Sequence, residues 1–522
     1  MPSPNADVSA SELSHNLEQF LAEHPGSAVL EDGRVLFEMQ SARYSLSTEH
    51  GRCLLHLWSD ERNLVRTVNS IELRKSSLRI ETKRFGQTRP QTLQLVPDRD
   101  QRTPSTRDAA RAKYLRLLER VAARSFPEYK LDSLRTAMDL EHSFGPAYAR
   151  GMLLRGASAW AIIGVNAEET QETVDGILTL AVLWLAYCRQ HGDGRRVFEG
   201  VRVIVPVGMA ERTKARMGWM NDAIAKWQLY ELDSRGEALA SVDIRDSGNL
   251  GMSLVYAFDP QAAHNRSQAA VQRVLALLPE RMRLQVEVCA ASATEIALLL
   301  HGLEFARVRH GLAPGSFSRE DRITFGAGAN ETELTAETEE LFRDLTARLF
   351  ENRQPSGTVR NPLYRLQPER WLESELRRQI ADLEPSICPG IMYSQVPALS
   401  GGERGMLDLL TLTRSGRLAV FELKANEDLH LPLQALDYWM RVRQLHAGGA
   451  LEQQGYFQGR ELAPASPLLY LVAPALRIHP ANEVVLKHLS PEIEWVMLAL
   501  GEQWRKRLKV IFRKYGGGPA QA

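Results

Sequence analysis

The sequence predicts an α/β protein of several domains, and three observations predict it. The chain has 522 residues, enough for about three domains of ~150 residues each. Short runs of alternating β-type residues fill the region near the N-terminus, and strand-like and helix-like segments alternate from residue 108 onward. The expected order is a β-rich domain at 20–100, a middle α/β domain at 108–235, a mixed α/β connecting region at 236–352 and a C-terminal α/β core with a central mixed sheet at 353–516.

In the first of these, the runs AVLEDGRVLFEM, CLLHLW, SIELRKSSLRIETKRF and TLQLV read as strands, with Asp32-Gly33 as a hairpin turn. Between Arg62 and Lys113 there are 13 Lys or Arg against 5 Asp or Glu, a local excess of eight positive charges, although the whole chain has a formal net charge of zero. Arg74, Lys75, Arg79, Lys83 and Arg84 lie partly at strand spacing and are candidates to hold a phosphate backbone. The alternative is that they form the solvated side of a small sheet.

The middle domain opens with the helical pattern AARAKYLRLLERVAARSF. The strand SAWAIIGV, a helix at Glu172–Gln190, the strand VRVIVPVG, a helix near Ala210–Lys226 and the strand WQLYEL then follow. In the connecting region MRLQVEVC reads as a strand, Ala293–Leu300 as a helix, and LTAETEELFRDLTARLF as a second helix, with no chemistry assigned. Cys53, Cys188, Cys289 and Cys388 are too scattered for a zinc clamp or a disulfide framework, which fits a reducing cytoplasm. The first 19 residues are polar where a secretory signal is basic and then apolar, and the longest apolar run, Gly176–Cys188, is 13 residues, short of a membrane span. No membrane role is expected.

Chemistry concentrates between residues 368 and 440. A helix, PERWLESELRRQI, carries Glu373, and a strand, IMYSQV, leads to GMLDLLTL with Asp408 in its middle. A turn at Arg414-Ser415-Gly416 returns the chain as RLAVFELKA, with Glu422 and Lys424, and a helix from about Leu431 sets Gln434 and Tyr438 one turn apart. Side chains on a strand alternate faces, so Glu422 and Lys424 point the same way from an otherwise apolar strand. That placement is costly unless the two charges serve each other or a ligand. With Asp408 on the partner strand, two carboxylates and the Leu423 backbone carbonyl make a hard-oxygen site suited to Mg²⁺ or Mn²⁺. Such an ion polarises a phosphate and acidifies a bound water, and Lys424 is placed to orient that water or offset charge growing on the phosphorane.

These residues resemble the RecB-like branch of the PD-(D/E)XK nuclease superfamily, whose motifs are a helix glutamate, G-x-x-D, E-x-K and Q-x-x-x-Y. Here they stand as Glu373, Gly405-Met406-Leu407-Asp408, Glu422-Leu423-Lys424 and Gln434-Ala435-Leu436-Asp437-Tyr438. The resemblance covers about 150 residues and implies a restriction-endonuclease-like core, with metal held by Asp408 and Glu422 and catalysis by Lys424. It gives Glu373 a supporting role, with Glu375 on the same helix as a substitute, and gives Gln434 and Tyr438 orientation or DNA contact. A β-rich domain ahead of such a core is similar in layout to NucS-type endonucleases.

Comparing the chain with itself gives RGML at Arg150–Leu153 and again at Arg404–Leu407, an offset of 254. The middle domain then reads as an inactive nuclease-like repeat with Leu154 at the aspartate position; chance similarity of two α/β units is the alternative. Arg404, Arg505 and Lys509 are further nucleic-acid candidates, the last two within the basic, aromatic-interleaved stretch WRKRLKVIFRKY. The expected activity is a Mg²⁺- or Mn²⁺-dependent nuclease acting on DNA, for which a homodimer suits duplex cutting. A non-catalytic nucleic-acid-binding or assembly protein that keeps the fold is the competing reading, and an RNA-directed nuclease is the second.

Overall fold

A computed structural model of the chain describes residues 9–518 apart from 32–33, 40–41, 50–51, 59–62, 75–76, 84–89, 98–103, 140–141, 193, 246–251, 255–257, 313–317, 329–331 and 401–402. The chain divides into two compact units, one of Met1–Thr103 with Phe258–Glu375 and one of Pro104–Ala257 with Leu376–Ala522.

The first unit begins with the helix Ala10–Glu23, started by a capping box in which the Ser9 hydroxyl accepts from the Glu12 amide and the Glu12 carboxylate accepts from the Ser9 amide. Its stripe of Leu13, Leu17, Phe20 and Leu21 shares one buried core with Leu55, Leu57, Ile80 and Leu93 of an all-antiparallel seven-stranded sheet. Glu31 pairs with Arg34, so the expected hairpin joins Ala28–Glu31 to Arg34–Glu38; its turn residues, Asp32 and Gly33, lie outside the described residues. The same unit holds a second antiparallel sheet of five strands in sequence order, covered by the helices Gln268–Ala276 and Glu339–Asn352. Here Glu295–Leu300 is a strand, not the helix expected at Ala293–Leu300. EIALLL is an apolar run too short to carry helical periodicity, and hydrogen bonding to Val286–Ser292 on one side and Leu303–Leu312 on the other decides its state.

The second unit contains two mixed sheets. The middle sheet orders Lys130–Arg135, Tyr148–Arg155, Ser158–Val165, Val197–Pro206, Lys226–Asp233 and Ala238–Val242. Its first three strands are antiparallel, the third to fifth parallel, and the sixth antiparallel again. The C-terminal sheet runs through Ile387–Ser400, Glu403–Thr413, Leu418–Leu423, Leu468–Pro474, Trp495–Leu500 and Val510–Gly516 with the same sequence of orientations. Met252–Leu254 adds one more strand beside Ile387–Ser400. In both sheets a long helix joins the third strand to the fourth, Ile177–His191 in one and Leu431–Ala447 in the other. A short helix, Glu211–Met217 or Pro480–Lys487, joins the fourth to the fifth. Two helices expected in the middle domain differ in extent: Glu172–Gln190 breaks at Gly176 into Gln171–Asp175 and Ile177–His191, and the one near Ala210–Lys226 spans only Glu211–Met217.

Candidate active site

The strand Leu418–Leu423 is buried at every position, because it lies between Glu403–Thr413 and Leu468–Pro474 and is covered by the helix Leu431–Ala447. Glu422 is therefore carried into the interior by its own strand. Its neighbour across the sheet is Asp408: Leu409 pairs with Phe421, so the next step outward sets Asp408 beside Glu422, and the Asp408 Oδ2 accepts from the Leu423 amide at 3.1 Å. Lys424 follows directly, its amide bonded to the Val472 carbonyl at 2.9 Å. Its Nζ lies 3.3 Å from Glu422 Oε1 and 3.6 Å from Asp428. The alternation of the strand thus brings Glu422 and Lys424 together as the sequence indicates.

The electrostatics follow from this crowding. Burial raises the Glu422 carboxyl well above its ordinary range, and the Asp408 negative charge raises it further, against a smaller opposing pull from Lys424. Burial opposes the Lys424 ammonium, but the carboxylates of Glu422, Asp428 and Asp408 outweigh it and its pKa is raised. On the covering helix, the Tyr438 phenol is pushed up by burial first and then by the charges of Glu422 and Asp408. Glu422 Oε2 and Gln434 Oε1 are buried without a hydrogen-bond partner. Such orphaned acceptors are the atoms a cation or a donor-rich ligand would satisfy.

These atoms fit a divalent ion: two adjacent carboxylates, one with an unsatisfied oxygen, where the pull of Lys424 on Glu422 is smaller than the opposing effects of burial and of Asp408. Among the described residues no group of three or more His, Cys, Asp or Glu side chains stands in metal-holding geometry.

Glu422 also gives a pH prediction. In metal-free protein its folded pKa lies above the ordinary 4.5, so its contribution to stability is complete below about pH 4.5 and is lost as pH rises toward the folded value. Glu422→Gln removes that loss. In EDTA the variant is expected to gain melting temperature relative to the parent at pH 8 compared with pH 4, and an offset that is the same at both pH values would count against it.

Other expected site residues are placed as follows. Glu373 is buried on the helix Pro368–Leu383, paired with Arg370 at 3.1 Å, and belongs to the stretch of that helix assigned to the first unit. Glu375 pairs with His301 Nδ1 at 3.5 Å. Arg79 and Lys83 are exposed on the outer face of Ser77–Lys83, and that face also carries Glu81, with Glu72 opposite Arg79. The basic stripe is therefore interrupted by acids. Lys75 and Arg84, and the side chains of Arg74 and Arg404, lie outside the described residues. Lys509 is exposed, while Arg505 lies over the Trp504 ring at 4.1 Å. Of their basic neighbours, Arg513 pairs with Glu384 at 3.4 Å and Lys514 with Glu483 at 2.5 Å.

Asp428 was missed from sequence. It stands four residues after Lys424, its Oδ1 accepts from the His430 amide at 2.7 Å, and its charge supports the lysine. The signal was present in ELKANEDLH as a second acid within one turn of the lysine. His430, whose Nδ1 lies 2.9 Å from the Thr179 hydroxyl, is held toward its neutral form, by burial first.

No protein-family model matches the chain, and no curated protein matches it. Among solved structures it is similar to the protein chain in "Structure of EndoMS-dsDNA2 complex", with 9% identity and a TM-score of 0.18, over 44% of this chain and 95% of that chain. A likeness this faint carries no argument about function, which rests instead on the site formed by Asp408, Glu422 and Lys424.

Proposed function

We propose that the protein is a metal-dependent nuclease of the PD-(D/E)XK type that hydrolyses phosphodiester bonds in DNA. The observation that carries this reading is the pair Asp408 and Glu422 side by side on adjacent strands, Glu422 buried and Asp408 half-buried, with an unsatisfied Glu422 oxygen and the Lys424 ammonium at 3.3 Å. An acid buried next to a second carboxylate is costly, and the Lys424 ammonium offsets only part of that cost.

In this reading Asp408, Glu422 and the Leu423 carbonyl hold Mg²⁺ or Mn²⁺, which when bound supplies phosphate polarisation and a more acidic water. Lys424 sets a fixed positive charge where negative charge develops on the phosphate, and its raised pKa keeps it protonated at neutral pH. Asp428, 3.6 Å from the Lys424 ammonium, is assigned to position it. Gln434, with a buried and unpartnered Oε1, is assigned to orient the water or phosphate, and Tyr438, held protonated, is assigned as a hydrogen-bond donor to the site. Glu373 is assigned a supporting role on its helix, and Arg79, Lys83, Arg505 and Lys509 are assigned contacts with the nucleic-acid backbone.

The test is incubation of the purified full chain with single-stranded, duplex, branched and mismatched DNA, and with RNA, in Mg²⁺ or Mn²⁺ and in EDTA. Cleavage of DNA that stops in EDTA is expected. Cleavage unaffected by EDTA, or none of any substrate, would overturn the proposal, and cleavage of RNA alone would move the activity to the other nucleic acid.

A further inference from the structure

We infer that the protein cuts one strand of a duplex per encounter, because its second unit is a two-fold pair of like sheets of which only one carries the carboxylates; the inference rests on the nuclease reading above.

The two-fold relation is visible in the hydrogen bonds. Met220 and Leu489 face each other in an antiparallel bridge, each in the segment after the short helix of its own half. Around it Asn221 N donates to His488 O at 2.8 Å and Ser490 N donates to Trp219 O at 2.8 Å. Adding 269 to 219, 220 and 221 gives 488, 489 and 490, so each bond is the other's image. The helices repeat the exchange: Ile177–His191 packs on Pro480–Lys487, and Leu431–Ala447 packs on Glu211–Met217. Reciprocal contact of this kind is what a two-fold dimer shows between identical subunits. Here it occurs within one chain.

Register then shows what occupies the site positions in the other half. Val201 pairs with Trp227, and Leu469 pairs with Trp495, the same 26-residue step between the fourth and fifth strands. Ala161 pairs with Val201 as Val420 pairs with Leu469, and Met152 pairs with Ala161 as Leu410 pairs with Val420. Counting from these pairs, Arg150 stands for Asp408, Ile163 for Glu422 and Val165 for Lys424. The ungapped offset that put Leu154 at the aspartate position is corrected: Leu154 pairs with Ala159, close to its hairpin turn, whereas Asp408 lies well beyond the Leu412–Leu418 pair that flanks its own.

This half has no acid at the three positions. Ile163 and Val165 are fully buried, and Arg150, 1% exposed, lies over the Phe144 ring at 4.5 Å and bonds the Ala137 carbonyl at 2.6 Å. A guanidinium where the other half has a carboxylate repels a metal ion. The strands of a duplex are related by two-fold axes, so a two-fold nuclease with two competent sites can reach both; one competent site in a two-fold body reaches one. Each event adds one water across one P–O bond: the water oxygen joins phosphorus, and the leaving bridging oxygen takes a proton to become an alcohol.

The test is supercoiled plasmid in Mn²⁺ with excess protein, at a concentration where light scattering shows a monomer. Nicked circle as the sole early product is expected, with none formed by Asp408→Ala. Linear DNA appearing as fast as nicked circle would overturn the inference while leaving the nuclease reading intact. No conversion of any DNA would overturn the nuclease reading itself, and a nicked product retained in Asp408→Ala would place the cutting site elsewhere.

Discussion

Lys424→Ala is expected to slow metal-dependent DNA cleavage by on the order of 10²–10³, the range lost when a fixed donor aimed at developing charge is removed. The loss has a second component. Lys424 pulls the Glu422 carboxyl down against burial and against Asp408, so its removal raises Glu422 further. Metal binding requires the ionised carboxylate, so at neutral pH the variant takes up metal less readily, and part of its activity returns as pH rises. Initial rates of cleavage from pH 6 to 9 at saturating Mn²⁺, with circular dichroism to verify folding, separate the two parts. Activity at the parental level across that range would remove Lys424 from the site.

Asp437→Ala is expected to destabilise the second unit by about 3–5 kcal/mol, the usual cost of leaving one partner of a buried ion pair uncompensated. Asp437 receives both Arg216 Nε and Nη2 at 2.8 Å, and Arg216 Nη1 also bonds the Asp175 carbonyl at 2.6 Å. Arg216 is buried, and the pair links the short helix of the middle half to the long helix of the C-terminal half. Replacing both partners with apolar residues of similar size, Arg216→Met with Asp437→Leu, is expected to cost much less than the single change, since no charge is then stranded. Urea unfolding of the three proteins checks this, and a double variant as unstable as Asp437→Ala would mean that the pair matters for more than its own charge balance.

What was legible in the sequence was whatever local pattern determines. The helix from Leu431, with Pro432 in its first turn, begins where expected, and the apolar strand Leu418–Leu423 carries Glu422 and places Lys424 on the same side because strand alternation leaves no other choice. What was not legible depended on partners far along the chain. Glu295–Leu300 took its state from two neighbouring strands. Arg216 and Asp437 are 221 residues apart, and neither has a local signature. Exposure of Arg79 and Lys83 follows from alternation, but the Glu72 beside Arg79 comes from the next strand. The repeated RGML was a correct pointer to a second sheet of the same order and a wrong guide to register. Its first copy leads into the tight turn between Arg155 and Ser158, whereas the second stands farther from a longer turn, bracketed by Thr413 and Arg417.

The claim that Asp408 and Glu422 share a divalent ion is tested most directly by Mn²⁺ binding, followed by electron paramagnetic resonance on the full chain, without DNA and independently of any cleavage. The parent protein is expected to bind Mn²⁺ at neutral pH more tightly than at pH 5, where Glu422 is more fully protonated, and Asp408→Ala is expected to lose that binding. A parent protein that binds no Mn²⁺, or an Asp408→Ala variant that binds it as the parent does, would contradict the account.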